Sequence, residues 1–215
     1  RAAVLGANDG IVSSASLLVG VSAAGMTQGN VLLTGLAGLT AGALSMAAGE
    51  YVSVSAQADV EKADLERERV ALIEDPDYEL SELAEGLENR GVQSDLALEV
   101  ATQMTDHDAL GAHAREELGM FGLAGQADPL QAAGASALAF ALGGGLPLFA
   151  AVLAPAGLRG VTIALVALLA LILLGAGGAQ LGGAPKRPAI GRVVVWGGLA
   201  MAVTAGVGHL FGAIG

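Results

Sequence analysis

"GANDGIVSSASLLVGVSAAG", residues 6–25, decides how the rest of the chain is read. It is apolar and rich in small residues, yet Asp9 stands near its start. A carboxylate placed in hydrocarbon costs about 2.5–3.5 kcal/mol on insertion scales, and an ionisable residue in a span marks a functional site by default. Either this segment is not a membrane helix, or Asp9 has a task inside one.

The surrounding composition favours the membrane. The chain has 215 residues, 53% of them hydrophobic and 14% charged, with a mean hydropathy of +0.63. That is too apolar for an ordinary soluble domain. About 20 apolar residues cross hydrocarbon as a helix, and five stretches qualify: 2–24, 31–54, 130–153, 161–179 and 193–211. The short break "MTQGN" makes the first two antiparallel neighbours. Gly198, Ala202 and Gly206 recur at four-residue spacing in the fifth, a stripe that lets helices approach closely within a bundle or across a dimer. The chain has no cysteine, which excludes disulfides, Fe–S clusters and zinc ribbons. No cleavable signal pattern is visible. The start at Arg1 instead of Met implies a short missing piece ahead of it.

Charge divides the chain into two materials. Of 21 acidic residues, 19 lie between Asp59 and Asp128, while Asp9 and Glu50 stand alone in apolar surroundings. We therefore divide the chain into residues 1–54, two spans; 55–126, an acidic helical insertion; and 127–215, three further spans. The acidic piece disfavours nucleic acid and anionic lipid as partners and concentrates cations. Lys186, Arg187 and Arg192 place the connection between the fourth and fifth spans in the cytoplasm. Counting back, Arg1 and the insertion are cytoplasmic too. Arg159 is the outlier.

The insertion reads as short amphipathic helices. The first continues the second span to about Ile73, and "EDPDYEL" stops it. Asp75 caps the next helix with Pro76 in its first turn, and Gly91 ends it. Ser94 caps a helix through Met104, and Asp106 starts another that ends near "ELGM". At about 100° per residue, Glu61 and Glu68 lie close to the face marked by Leu65 and Leu72. Glu79 and Glu82 border the face of Leu80, Leu83 and Leu87. Leu110, His113 and Glu117 share a face. Three helices thus bring carboxylate or imidazole toward one interior, and only Lys62, Arg67, Arg69, Arg90 and Arg115 oppose the 19 acids. Bound metal compensates such a cluster; a solvated acidic surface is the alternative.

The second span runs antiparallel to the first, so Met46 sits at a depth similar to Asp9. Glu50 lies four residues on, on the same face and nearer the cytoplasm. Asp9, Met46 and Glu50 are expected to line one translocation path. A thioether suits transition ions better than magnesium or calcium, which prefer all-oxygen shells.

"GANDGIVSSASLLVGVSAAG", "AGALSMAAGEYVSVSAQADVEKADLERERV", "AHAREELGM" and "PLQAAGASALAFALGGGLPL" together resemble the vacuolar iron transporter family, in order and over nearly the whole chain. The resemblance implies a prokaryotic member with an all-α fold: five transmembrane helices and a cytoplasmic helical metal-binding domain between the second and third. It implies a homodimer in the lipid bilayer, with the path between the first helices of the two subunits. It also implies export of ferrous iron and related divalent ions in exchange for protons. Asp9 in "NDG" and Met46 in "ALSM" match the family's path residues. Glu68, Glu79 and Glu82 match its capture glutamates. His113 stands where the family has a methionine, four residues before Glu117. Gly38 and Ala71 stand where the family has carboxylates. The Glu-x-x-His pairs of a di-iron bundle are absent.

The expected function is export of Fe2+, with Mn2+ and also Zn2+, Co2+ or Ni2+ as related substrates, across a bacterial cytoplasmic membrane. The metals are substrates; no prosthetic group and no covalent chemistry are implied. Carboxylate pKa values couple metal to protons, because burial raises them and an arriving cation lowers them. The rival reading is an acidic metal store or sensor on an inert membrane anchor, which leaves Asp9 without a purpose. A magnesium-type channel is disfavoured by Met46.

Overall fold

The computed structural model describes residues 2–120, 128–155 and 157–213. Arg1 and the 126/127 boundary expected above fall outside these residues. The described chain is helical throughout: α1 (Ala2–Ala23), α2 (Gln28–Glu74), α3 (Pro76–Glu88), α4 (Ser94–Glu116), α5 (Pro129–Leu153), α6 (Arg159–Leu181) and α7 (Lys186–Gly212). Five of them, α1, α2, α5, α6 and α7, are long and apolar enough to cross a membrane. The chain divides into two compact units. One holds Arg1–Tyr51 and Leu130–Gly215, the other Val52–Pro129, so α2 contributes residues 28–51 to the first and 52–74 to the second.

In the first unit α1 is the central helix. Its apolar window is 44% buried, against 11% for α2 and for α7. Ile11, Ala15, Leu18 and Val19 of α1 meet Val31 of α2, Ala150 and Ala151 of α5, Ile163, Ala167 and Leu171 of α6, and Met201 of α7. Lipid is as apolar as leucine, so close packing holds such helices together more than the hydrophobic effect does. Small residues permit it. A side chain added at Gly10 would collide with the Phe140 carbonyl of α5, and one at Gly143 with the backbone of Ala7. A side chain at Gly208 of α7 would strike the Gly20 carbonyl of α1. Leu33, Leu44, Leu138, Leu165 and Val203 point outward, as lipid-facing positions do.

In the second unit α3 packs on α4 around Leu83, Ala84, Ala101 and Ala112, with Leu80, Leu87 and Met104 at the edge. Asp75 caps α3 as its sequence suggests, accepting from the Tyr78 N–H at 3.2 Å, with Pro76 in the first turn. Gly91 closes the helix at φ +94°, a left-handed geometry that glycine adopts without strain. The expected pair of helices after Ser94 differs in detail. Gln93, with no side-chain hydrogen bond, takes the cap position, so Ser94 is already helical. The two segments join at Asp108, which leaves the helical conformation at φ −163°, ψ 83°. The Asp108 carboxylate accepts from the Gly111 N–H at 3.0 Å and thereby starts the second segment. The second segment thus starts at Asp108, two residues after the Asp106 expected from the sequence.

Candidate metal centre and membrane cavities

Within the second unit, the part of α2 after Tyr51 supplies Glu68, the first turn of α3 supplies Glu79, and the last turn of α4 supplies His113, with Glu117 at the C-cap. One ligand-type atom from each lies within 4.8 Å of the other three. The His113 ring is fully buried. Its Nδ1 is 2.9 Å from Glu68 Oε1, 2.7 Å from Glu117 Oε1 and 3.7 Å from Glu79 Oε2. Neighbouring corners of an octahedron with bonds of about 2.1 Å are about 3.0 Å apart, so the Glu68 and Glu117 spacings suit one shared coordination sphere, with Glu79 somewhat wider.

The hydrogen bonding supports the same geometry. Neither ring nitrogen of His113 has a well-directed hydrogen bond, and neither does Glu68 Oε1, although all three are buried. A buried polar atom without a partner is costly. One imidazole N–H cannot satisfy three carboxylates. A divalent cation would satisfy all four side chains. Burial raises the Glu79 carboxyl above its ordinary value, and the charges of Glu68 and Glu82 push it further against the opposing effect of His113. Burial also raises Glu117; His113 opposes that shift, and Glu68 and Glu82 add to it. Glu82 itself is exposed and stands outside the close group, acting on it through its charge. Arg90 at the end of α3 forms an ion pair with Glu116 and so ties the two helices beside Glu117.

In the first unit, Asp9 and Met46 line one cavity of about 190 Å³, together with Ser13, Ser14, Gly38, Gly42 and Phe140. Glu50 does not share it. It lines a separate cavity of about 950 Å³ with Asn8, Gly178 and Arg192. The single path expected for Asp9, Met46 and Glu50 is thus divided in one chain. Gly38, Gly42 and Met46 are successive positions of one four-residue row, and the two glycines let the Leu17 and Phe140 side chains pack against α2 at the wall of this cavity. That row was available in the sequence as a signal. That Arg192 and Glu50 line one cavity had none.

Five apolar helices, an intramembrane carboxylate beside a thioether, and a separate carboxylate–imidazole cluster define a class: an integral membrane protein equipped to handle divalent metal. Comparison with known proteins makes this particular. The VIT family profile matches residues 1–209. The chain is 47% identical to a vacuolar iron transporter of Acanthamoeba castellanii, over 98% of this chain and 77% of that protein. It is 42% identical to vacuolar iron transporter homolog 1 of Oryza sativa subsp. japonica, over 99% of this chain and 73% of the relative. With homolog 1 of Arabidopsis thaliana the identity is 39%, over 99% and 82%. The chain belongs to the VIT family, whose names are those of transporters and not of enzymes.

Proposed function

We propose that this protein exports divalent transition metal, ferrous iron first and manganese as a related substrate, from the cytoplasm in exchange for protons. The observation that carries the reading is the convergence of Glu68, Glu79, His113 and Glu117 on one point, with three of their buried polar atoms unpartnered. Carboxylate and imidazole donors suit first-row divalent ions. The names of the relatives agree on iron. The acidic unit lies in the cytoplasm, on the side of Lys186, Arg187 and Arg192, where it gathers ions by charge and holds them near the membrane. In a bacterial cell that orientation makes the protein an exporter at the cytoplasmic membrane.

Asp9 and Met46 pass the ion. Their cavity is open, and a second copy of the chain completes it in a homodimer. Proton exchange follows from carboxylates that hold a proton when the site is empty and lose it to an incoming cation. The test is metal flux in proteoliposomes with and without a proton gradient. Gradient-dependent flux supports the reading. Metal binding without flux at any gradient would leave a store or sensor on a membrane anchor instead.

A further inference from the structure

Asp9 and Glu50 are the two carboxylates of the first unit, and they face different cavities. Adjacent residues of α1 take part in the division: Asn8 lines one cavity and Asp9 the other, as a turn of about 100° per residue requires. The two cavities differ in chemistry. Beside Asp9 are the Met46 thioether and the hydroxyls of Ser13 and Ser14, all neutral donors that a divalent cation accepts. Arg192 is a second lining residue of the Glu50 cavity, and its positive charge disfavours a metal ion there. The remaining lining is apolar apart from Asn8. Among the described residues Arg192 is the one other charged residue lining this cavity. From α1 come Val4, Leu5 and Asn8, and from α6 Leu174, Gly178 and apolar neighbours.

Glu50 and Arg192 line this cavity with no ion pair between them among the described residues, and the Arg192 Nε donates to the Pro188 carbonyl at 3.2 Å. Glu50 thus shares its cavity with one fixed positive charge and mostly apolar side chains. It offers nothing to a divalent ion that Asp9 does not offer better. Resting on the antiport reading above, we propose that Glu50 carries the exchanged proton by its own route, separate from the Asp9–Met46 route of the metal. The proton binds a carboxylate oxygen of Glu50 and is later released from it; no other bond changes.

The test uses the full-length protein in proteoliposomes loaded with a pH-sensitive dye, with Mn2+ as the transported probe. Wild type is expected to show an internal pH change with each phase of Mn2+ movement. Glu50→Gln is expected to keep Mn2+ movement down its gradient while losing the pH change. Glu50→Asp keeps a carboxylate and should retain the coupling, and Asp9→Asn should lose both signals. Gly178→Leu tests the same cavity without touching either acid, since a Cβ at Gly178 finds its nearest neighbour, Val4 Cγ1, only at 3.9 Å. It should reproduce the uncoupled phenotype even if Glu50→Gln fails to fold. A wild-type proton-to-metal ratio in Glu50→Gln or in folded Gly178→Leu would overturn the inference. So would loss of Mn2+ flux in Glu50→Gln to the level of Asp9→Asn, which would put Glu50 on the metal route. Failure of the antiport reading shows separately, as the absence of a pH change in wild type.

Discussion

His113 sets the character of the candidate metal centre, because three carboxylates crowd one nitrogen of a fully buried ring. His113→Ala removes the neutral donor and leaves the acids facing one another. It should weaken Mn2+ binding by about tenfold or more, since even outer-shell partners of metal ligands matter on that scale. Titration calorimetry of the whole protein reads this, and an unchanged affinity would remove His113 from the site. Glu79 and Glu117 add a pH dependence. Both are raised above the ordinary carboxyl value of 4.5, chiefly by burial. Protons and metal compete for the same oxygens, so affinity should climb as pH rises through the raised values and then level off. Stability of the metal-free unit runs the other way. A native pKa above the unfolded one means that the native state binds the proton more tightly. The stabilisation is complete below 4.5 and is lost as pH rises through the native values. Amide protection in α3 and α4, corrected for intrinsic exchange, should therefore fall across that window in metal-free protein and recover with bound metal. Protection that grows with pH in the metal-free state would contradict the assignment.

Among the elements, α4 depends on a local device. Its second segment carries His113 and begins at the Asp108 cap. Asp108→Ala should cost about 1 kcal/mol, the usual worth of such a cap. The loss should appear as faster exchange from Gly111 to Glu116 and as weaker metal binding. At the crossing of α1 and α5, Gly143→Val would drive a branched side chain into the Ala7 backbone. Overpacking of this kind costs about 1–3 kcal/mol, so the variant should lower the thermal midpoint in detergent while leaving metal binding in the second unit intact. Features decided within a turn of helix could be read from sequence. Asp75 with Pro76, and Gly91, are set by neighbours a few residues away, and the helical faces of Glu68, Glu79 and His113 follow from the period. What depends on how helices rotate against one another could not be read. Met46 and Glu50 share a face by spacing, yet α1 and α7 place different partners around each. Glu82 borders the right face but stays exposed beyond the close group.

For the whole molecule, collecting ions and passing them across the membrane should separate experimentally. A Glu79→Ala, Glu82→Ala, His113→Ala variant removes charge and donors from the second unit while leaving the Asp9–Met46 cavity in place. Its flux should fall most at low metal and recover as bulk metal rises, because concentration replaces a collector. Asp9→Ala should lose flux at every concentration while retaining metal in equilibrium dialysis. Equal loss at all concentrations in the triple variant would make the second unit part of the gate. The donor set of that unit has one more consequence. Three carboxylates and one imidazole rank first-row ions by the Irving–Williams order, in which manganous and ferrous ions stand below cobalt, nickel, copper and zinc. By that order the cluster does not favour iron, so zinc at an equal free concentration should displace iron there. What the protein carries in a cell is then governed by which ion is free in the surrounding compartment, and a metal preference measured on the isolated cluster would describe the buffer more than the cargo.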